Sequence, residues 1–555
     1  MSEIINDEVT RRNFLQTTMI AAGAAALPIG SVFAQSAVAP AKYTRYNVMS
    51  PNGQKALASY ARGVEAMLSL PPTHPQNWFR NAFIHLMDCP HGNWWFYVWH
   101  RGFLGYFEET IRNLSGDKTF AIPYWDWTTL PQIPDSMFDG PLNPQNRPFE
   151  RYTSNLAVFT SFIQAPLQAY WNTLSADQRS QLKTRGYPDF DSMWNDVTGY
   201  NPSSQNGISG NIAYATTCGS RYLTRDNPKL DKKTAYDVSP FVILAGLLPV
   251  DFYNVNNVLS FTSSKTTSHE VQPNGNTKFS TLEGMPHNKV HNYIGGVGPL
   301  DPGPYGNMTN FLSPVDPIFF LHHSNMDRLW DIWTRKQQAL QLPYLPPKAD
   351  LQTLSDEAFL FYANGEGGYV GPSKAGEYLS TDRFNYDYES GFGEEVIPSP
   401  AAAALSAAKK PSAKVSVKGE VKGRTGSVSV PRAAVNEHLA SEAPTLMAEV
   451  TVERPSPFSV TREFDVIVGA PDGMTQVDAD SPFYAGTIAF FGFMRHAMMD
   501  MEMAESATFA VPLPKRREAF KGLEAAQVSV NIRVVPTQGK GKPTPLKAVA
   551  VRSVQ

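Results

Sequence analysis

The chain carries the run HLMDCPHGNWWFYVWHRGFLGYFE at residues 85–108, and this run decides the fold. Three histidines lie in it: His85, His91 and His100. Apolar residues recur at helical spacing in its second half, which predicts a helix. His91 and His100 are nine residues apart, or roughly 180° on one regular helix, so they cannot face one ion from it. Pro90 and Gly92 therefore place His91 in the turn before the helix.

A second group of histidines follows further along the chain. It lies in the runs EGMPHNKVH, at 283–291, and DPIFFLHHSNMD, at 316–327. His287 and His291 are four residues apart, so on a helix they differ by roughly 40° and share one face. This spacing suits two imidazoles on one metal ion. Pro286 is expected in the first turn of that helix, where proline is tolerated.

The residue types narrow the choice of metal. All-imidazole coordination suits Zn, Cu, Fe or Ni, whereas di-iron helical bundles recruit several glutamates. A zinc hydrolase held by histidines alone would need only one such group, so two groups favour a pair of coppers. A single histidine is more often a core residue than a ligand. Asp327, four residues after His323, is expected to accept a hydrogen bond that fixes the tautomer of a ligand ring.

The composition limits the class of protein and the kinds of partner and metal site. The 555 residues are 42% hydrophobic and 18% charged, with a net charge of −3, as in a folded protein of two to four domains. No basic excess draws the chain to nucleic acid or to an anionic membrane. The two cysteines, Cys89 and Cys218, allow one disulfide at most and exclude zinc ribbons and Cys-ligated iron–sulfur clusters.

The N-terminus is typical of an exported bacterial protein. Residues 10–16 read TRRNFLQ, a twin-arginine pattern followed by an Ala/Gly-rich stretch. That stretch is too short and too weakly apolar for a stable membrane span. We expect a signal peptide over residues 1–34, export by the twin-arginine machinery and a periplasmic or secreted protein. An ordinary N-terminal arm is the alternative.

The remaining chain divides by composition into three parts. Residues 35–397 are rich in aromatic residues, and the pattern predicts a mainly α domain with long loops; its helices include 99–111, 241–248 and 321–333. Residues 398–431 are rich in Ala and Lys and are expected to form a linker, with room for a short strand. Residues 432–555 are expected to form a small β-sandwich, with strands at 447–452, 464–468, 508–511 and 528–534.

Two motifs resemble those of the type-3 copper proteins, the family of tyrosinases, catechol oxidases and molluscan-type haemocyanins. The first is His91-x4-Phe96-x2-Trp99-His100-Arg101-x2-Leu104-x3-Glu108, in which only Tyr97 is slightly unusual. The second is Asp316-Pro317-x-Phe319-Phe320-x2-His323-x3-Asp327, which fits completely. The run IPYWDW at 122–127 is also similar. The resemblance covers roughly residues 75 to 335 and, more weakly, the C-terminal β region.

The resemblance implies a four-helix-bundle core with two copper ions. His85, His91 and His100 would hold the first copper, with His74 as the fallback for His85. His287, His291 and His323 would hold the second, and His322 is adjacent but not a ligand. Cys89 would form a thioether with His91; a free thiol and a bridge to Cys218 are the alternatives.

The resemblance also implies an activity: oxidation of small phenolic substrates by O2. A tyrosinase hydroxylates monophenols and oxidises o-diphenols to o-quinones. Glu283 and Asn288 match positions that hold a proton-accepting water, although both residues can equally be surface residues. A diphenol-only catechol oxidase and a haemocyanin-like oxygen-binding protein are the alternatives. The sequence does not predict the oligomeric state.

The C-terminal region resembles domains that shield the copper cleft in latent family members. Phe483-Tyr484 and Phe490-Phe491 are the candidate plugs, although core packing is the more common role for any single one of them. The methionines between Met494 and Met503 suit transient Cu(I) binding, or simply form a greasy segment.

Overall fold

The computed structural model describes residues 42–198, 221–271, 275–300, 305–402, 414–455, 461–492, 505–537 and 543–554. The expected signal peptide, Cys218 and the methionine run 494–503 lie outside these residues. Among the described helices, none combines the length and apolarity needed to cross a membrane.

The N-terminal two thirds of the described chain is helical, as predicted. Its helices are α1 (Pro51–Ser69), α2 (Trp78–Asp88), α3 (Phe96–Ser115), α4 (Arg147–Thr153), α5 (Leu156–Thr173), α6 (Ala176–Thr184), α7 (Phe190–Thr198), α8 (Lys232–Asp237), α9 (Pro240–Leu247), α10 (Asn288–Gly295), α11 (Ile318–Ala339) and α12 (Lys348–Asp356). Four of them, α2, α3, α10 and α11, bring the predicted histidines together. The helical patterns at 99–111, 241–248 and 321–333 correspond to α3, α9 and α11.

Local chemistry fixes where the site-bearing helices begin and end. The Asn77 side chain accepts hydrogen bonds from the backbone N–H groups of Phe79 and Arg80 and so caps α2. Gly116 ends α3 in the left-handed conformation, with φ of 76°, which glycine adopts without strain. The rings of Phe107 and Phe320 stack at 3.5 Å between α3 and α11.

A buried ion network also joins α3 to α11. Arg45 donates two hydrogen bonds to Glu108, of 2.8 and 2.9 Å, and one of 2.9 Å to Asp327. Arg101 donates to the second oxygen of Asp327 at 2.7 Å and lies over the ring of Trp330. The acidic residues that end the two motifs thus hold helices together through arginine, and each buried charge is paired.

The described residues contain fourteen β-strands, of two to ten residues each. They are β1 (Tyr43–Arg45), β2 (Asn276–Phe279), β3 (Ala358–Phe359), β4 (Ser373–Lys374), β5 (Tyr386–Tyr388), β6 (Ser416–Lys418), β7 (Glu420–Lys422), β8 (Thr425–Pro431), β9 (Leu446–Glu453), β10 (Glu463–Val468), β11 (Tyr484–Ala489), β12 (Ser506–Pro512), β13 (Gln527–Pro536) and β14 (Leu546–Ser553). The pairs β1–β5 and β3–β4 form two small two-stranded sheets in the helical region. The others form two five-stranded sheets, with a helix α13 (Arg432–Ala440) between β8 and β9.

The two larger sheets form the predicted β-sandwich. Their strand orders are β11-β10-β13-β8-β7 and β2-β12-β9-β14-β6. Alternating residues of β13, such as Val528, Val530 and Ile532, are buried, as expected for a strand with one solvated face. The predicted strands correspond to β9, β10, β12 and β13. The strands β11 and β14 were not predicted.

One strand of the sandwich comes from the helical part of the chain. β2 pairs in parallel with β12, in the register Asn276 to Ser506 and Phe279 to Phe509. The rings of Phe279 and Phe509 stack at 4.9 Å and 11°. A continuous ladder therefore connects the two regions, and they share one folded body.

The expected linker is shorter than residues 398–431. Residues 403–413 lie outside the described ranges, but β6, β7 and β8 fall within the rest of the segment. Val428 and Val430 are fully buried, because their alternation places both in the sandwich core. The expectation of a linker is wrong for residues 416–431, where the apolar alternation outweighs the basic composition.

Candidate metal centre

The first three histidines meet at the junction of α2 and α3. His85 lies on α2, His91 in the turn that follows, and His100 on α3. Their ring centroids are 5.4 to 5.5 Å apart. The Nε2 atoms of His85 and His100 are separated by 3.3 Å. The prediction that His91 precedes the helix is confirmed.

The second three histidines meet between α10 and α11. The His287 and His291 rings lie 4.6 Å apart, and each is just over 5 Å from the ring of His323, at 5.1 and 5.3 Å. The Nε2 atoms of His291 and His323 are 3.1 Å apart.

Pro286 does not lie in the first turn of a helix, as was expected. A π-helical turn, Glu283–His287, precedes α10 directly, and Pro286 lies inside it. The wider turn accommodates a residue that has no N–H to donate, and such turns are frequent at functional sites.

The two groups of histidines face each other. The rings of His100 and His323 stack at 4.2 Å with an angle of 9° between their planes. The rings of His91 and His287 are 5.7 Å apart. The six side chains thus converge from two sides on one interior space.

Backbone carbonyls hold the outer nitrogens of several rings. The Nδ1 atoms of His85, His100 and His291 lie 2.7 to 2.8 Å from the carbonyl oxygens of Phe311, Phe96 and Met308. A carbonyl oxygen can only accept, so Nδ1 carries the proton and the Nε2 lone pair points inward. Metal-binding histidines are commonly held in this way.

Burial keeps these rings neutral. It lowers the pKa of His100 and of His287 to about 3, and it lowers the pKa of the other four histidines well below the ordinary value. Neutral imidazole is the form that binds metal.

The donor atoms fit a metal ion at each group. The Nε2 atoms of His91 and His287 are buried and have no hydrogen-bond partner among the described residues. Two nitrogens bound at about 2.0 Å to one ion are separated by roughly 3.0 to 3.5 Å, which matches the Nε2 pairs above. Imidazole is a favoured donor for copper.

Asp327 does not orient His323, contrary to expectation. The Nδ1 atom of His323 has no partner in the described structure, whereas Asp327 accepts hydrogen bonds from Arg45, Arg101 and two tyrosines. Two arginines compete for the carboxylate more strongly than a neutral ring, because they carry full charge.

His322 lies closer to the second group than the motif implied. Four ring nitrogens all lie within 4.8 Å of one another, one from each of His287, His291, His322 and His323. Neither nitrogen of His322 has a partner in the described structure, and its ring lies 4.8 Å from that of Trp127. His74, the fallback for His85, is a loop residue whose Nδ1 accepts from the Gln76 backbone.

Glu283 is buried and bridges the two halves of the site. Its two oxygens accept from the Gly92 backbone N–H, at 2.6 Å, and from the Ser263 hydroxyl. Burial raises the pKa of Glu283 to about 7, although both hydrogen bonds oppose the shift. The surface-loop interpretation of Glu283 is wrong.

Asn288 is buried as well, so it does not face solvent. Its Oδ1 lies 2.8 Å from the Nδ1 atom of His287, and its Nδ2 donates to the Ala489 carbonyl at 2.8 Å. Asn288 therefore connects a predicted metal ligand directly to the C-terminal sandwich.

Cys89 lies within reach of two of the rings. Its Sγ is 3.4 Å from His85 Nδ1 and 3.5 Å from His91 Nδ1. Burial raises the pKa of the Cys89 thiol far above its ordinary value, although Arg185 opposes the shift.

The C-terminal region places one aromatic ring over the histidines. The Phe491 ring lies 4.3 Å from that of His291 and 5.0 Å from that of His91. Phe490 packs instead on Phe464 and Phe509 in the sandwich. Phe483 and Tyr484 pack in a separate small cluster with Ile467.

The loop that contacts the histidines through Phe311 and Met308 was not predictable from the sequence. Phe311, whose ring lies 5.1 Å from that of His91, and the carbonyl of Met308 belong to a stretch with no metal-binding pattern. Ser263 also gave no signal, because one hydroxyl in a polar loop is unremarkable.

Comparisons with known proteins identify the domain that contains these histidines. Residues 67–336 match the family model described as the common central domain of tyrosinase. A polyphenol oxidase II of Ipomoea batatas is 25% identical over 356 residues, covering 60% of this chain and 47% of that protein. The tyrosinase HcTyr1 of a Hahella species is 25% identical over 325 residues, covering 52% of this chain and 53% of that protein. The chain thus spans about half the length of the curated relatives it matches.

The fold is shared with a solved latent aurone synthase, a polyphenol oxidase. The TM-score is 0.52 at 17% identity, and the match covers 93% of this chain and 90% of the other. Proteins with a tyrosinase domain carry a binuclear copper centre, and the two histidine groups found here have the donors that such a centre requires. Residues 67–336, which contain all six histidines, therefore form a tyrosinase central domain, the copper domain of type-3 copper proteins.

Proposed function

We propose that this protein is a copper-dependent phenol oxidase of the tyrosinase type. His85, His91 and His100 hold one copper, and His287, His291 and His323 hold the other. The observation that carries the proposal is the opposition of two groups of three neutral imidazoles, five of them buried, with Nε2 pairs at 3.3 and 3.1 Å. Copper, when bound, supplies the electron exchange by which O2 is reduced while a phenol is oxidised.

The substrate is a small phenol, and Glu283 manages its proton. A phenol has a pKa near 10, so at neutral pH it must lose a proton before it binds a metal. A buried carboxyl with a pKa of about 7 is suited to general-base work at that pH. Each oxygen accepts one hydrogen bond, and a carboxylate oxygen has a further lone pair for a water or a phenolic O–H.

Asn288 positions rather than transfers protons in this proposal. Its Oδ1 accepts from His287 Nδ1–H and so keeps the Nε2 lone pair of His287 directed inward. The same oxygen has a second lone pair for a water shared with Glu283. Together the two residues favour monophenol hydroxylation in addition to the oxidation of o-diphenols to o-quinones.

We further propose that Cys89 Sγ forms a thioether with a ring carbon of His91: the S–H and one ring C–H are broken, and O2, the oxidant of the proposed activity, accepts the two protons and two electrons. The sulfur lies 3.5 Å from the His91 ring nitrogen in the turn before α3, so the bond would hold the ring in one orientation. Mass spectrometry of a peptide containing Cys89 and His91 should show the cross-link, and an alkylatable thiol in active protein would rule it out.

The C-terminal sandwich acts as a shield in this proposal, so the intact protein is latent. Phe491 occupies the space above His91, His287 and His291 that a phenol ring needs. The twin-arginine pattern at residues 10–16 supports export of the folded protein to the periplasm or beyond.

Quinone formation tests the activity. The copper-loaded full chain, activated with mild denaturant and given a monophenol or an o-diphenol with O2, should form coloured quinone from both substrates and lose this activity when copper is removed. Quinone from the diphenol alone would indicate a catechol oxidase. No quinone from either substrate, with O2 bound reversibly, would indicate an oxygen-binding protein and would contradict the proposal.

A further inference from the structure

Tyr97 is the residue of the first copper motif that is unusual for type-3 copper proteins, and the proposed function leaves it without a role. It lies on α3, three residues before His100, and is 2% exposed. Its hydroxyl oxygen is buried and has no hydrogen-bond partner among the described residues. A buried hydroxyl without a partner costs free energy, so such a group in a folded protein commonly binds an ordered water.

Ring contacts fix the position of the Tyr97 side chain. It stacks on the ring of Phe261 at 4.7 Å and 25°, and it lies 5.8 Å from the ring of Trp330. Phe261 is two residues before Ser263, whose hydroxyl donates a hydrogen bond to Glu283. The stack therefore places Tyr97 against the segment that holds the proposed proton acceptor.

The segments that carry these two stacked rings also supply both donors to Glu283. They run side by side, because Asn93 and Ser264 pair in a parallel β-bridge. Gly92 and Ser263, each one residue before the bridge, donate to the two oxygens of Glu283. The carboxyl is thus held between the two segments.

The charged group that acts on the Tyr97 hydroxyl is Glu283. Burial raises the pKa of Tyr97 well above its ordinary value, and the negative charge of Glu283 raises this pKa further. The hydroxyl therefore keeps its proton at neutral pH and is available near Glu283 as a donor.

A second hydroxyl without a partner lies beside the same carboxyl. Ser280 is 2% exposed, and its backbone N–H donates to Ser263 Oγ at 3.0 Å. The Ser280 hydroxyl oxygen is itself buried and has no partner in the described structure. A buried water needs about two to four polar partners, and the hydroxyls of Tyr97 and Ser280 with the Glu283 carboxyl offer three.

We propose that Tyr97 is a positioning residue for proton transfer, whose hydroxyl donates to the Glu283 carboxylate through one bound water. The inference rests on the proposed phenol oxidase activity, in which Glu283 accepts the phenol proton. Each oxygen of Glu283 keeps a lone pair after the bonds from Gly92 and Ser263, so it can accept a further donor. The added hydrogen bond holds the carboxyl in one orientation and so matters for monophenols more than for diphenols.

Infrared spectroscopy of the metal-free full chain tests the hydrogen bond without any activity. At about pH 5 the Glu283 carboxyl, with its pKa of about 7, is protonated, and its C=O band is the one that disappears in Glu283→Gln. In Tyr97→Phe this band should move to higher frequency, because the C=O group loses a donor. The matched control Tyr106→Phe removes a hydroxyl that the same helix shares with Tyr378, and it should leave the band unchanged.

Kinetics of the copper-loaded chain, activated with mild denaturant, test the consequence for the reaction. Tyr97→Phe removes one oxygen atom and keeps the ring that packs on Phe261, so copper should be retained. Monophenol kcat/KM should fall roughly tenfold, and diphenol oxidation should change little. In a Glu283→Gln background the same substitution should cause no further loss, because the group that Tyr97 positions is gone.

An unchanged carboxyl band in Tyr97→Phe would overturn the inference, and so would equal losses on the two substrates. The proposed role of Glu283 is tested separately by Glu283→Gln alone. If that variant keeps full monophenol turnover, the proton role of Glu283 fails, whereas a shifted band in Tyr97→Phe would still establish the hydrogen bond. The two failures are therefore distinguishable.

Discussion

Glu283 is the single residue on which the assignment of monophenol chemistry most depends. Its carboxyl is buried between the Gly92 N–H and the Ser263 hydroxyl, and its pKa is raised to about 7. A raised pKa means that the proton-accepting form is depleted below pH 7. The ionised fraction should grow from about 10% at pH 6 to about 90% at pH 8.

We therefore expect monophenol turnover to increase with pH through about pH 7. Glu283→Gln should lower monophenol kcat/KM by roughly a hundredfold or more and remove this pH step. Diphenol oxidation should fall much less, because a second phenolic proton is more easily lost once the first hydroxyl is bound. Steady-state kinetics with both substrates, at equal copper content, give the comparison; equal losses on both would refute the role.

The histidines were predictable from the sequence where a motif surrounds them or where, as for His287 and His291, they are four residues apart. His91, His100 and His323 lie in dense patterns, and the structure brings them together with the other three. The closeness of His322 to the second group and the hydrogen-bond partners of Asp327 were not predictable in this way. Asp327 accepts a hydrogen bond from Arg45, which lies far from the motif in the sequence. The spacing of residues within the motif cannot predict so distant a partner.

Among the elements, α10 is the one that couples the copper site to the sandwich. Lys289 on α10 and Glu463 on β10 form a buried ion pair with side chains 2% and 4% exposed. Asn292 on the same helix donates to the Phe490 carbonyl at 3.1 Å. The helix that carries His291 is thus fixed on one face by the C-terminal region.

Breaking the pair on one side should destabilise the protein strongly. Lys289→Met leaves Glu463 buried without its partner, and we expect a loss of roughly 3–5 kcal/mol in the free energy of unfolding, measured in urea. The double variant Lys289→Met with Glu463→Leu should recover most of it, because no buried charge remains.

The exposed pair of Lys374 and Asp356 is the matched control for that measurement. Lys374→Met should change the unfolding midpoint little, since solvent screens an exposed pair. Equal effects of Lys289→Met and Lys374→Met would contradict the coupling through α10.

The elements themselves were predictable where the apolar period is clear. The pattern of β13 is regular because this strand has one buried face. α3 is buried on all sides over most of its length, and its apolar residues at helical spacing predicted it. β11 was missed because its residues YAGTIA include glycine and two alanines, whereas β10, which is equally buried on both faces, reads EFDVIV and was predicted. β2 was missed because four residues, Asn276–Phe279, read as a loop until β12 is there to pair with them.

The helical region and the C-terminal β-sandwich form one folded unit, so the sandwich is not a separate domain that can simply come away. The pairing of β2 with β12 and the ion pair of Lys289 and Glu463 both cross the boundary. Cleavage within residues 403–413 cuts the chain but none of these contacts. We expect the cut protein to stay together in gel filtration and to gain no activity until mild denaturant removes the C-terminal part.

Removing the Phe491 ring should open the site without any cut. Phe491→Ala takes away the side chain that lies 4.3 Å from the His291 ring, so phenol oxidation by the intact protein should rise several-fold. Phe483→Ala is the control, since Phe483 packs in a cluster away from the histidines. No gain in Phe491→Ala, with copper retained, would show that this ring does not shield the site.

If six histidines form two facing groups that each hold one copper, the copper content should depend on both groups. We would measure it by elemental analysis of the purified chain and of two variants, His85→Gln and His291→Gln. We expect about two coppers in the parent and about one in each variant, because each substitution removes a ligand from a different group. A parent without copper, or two variants that both keep two coppers, would show that the histidines do not form such a pair of sites.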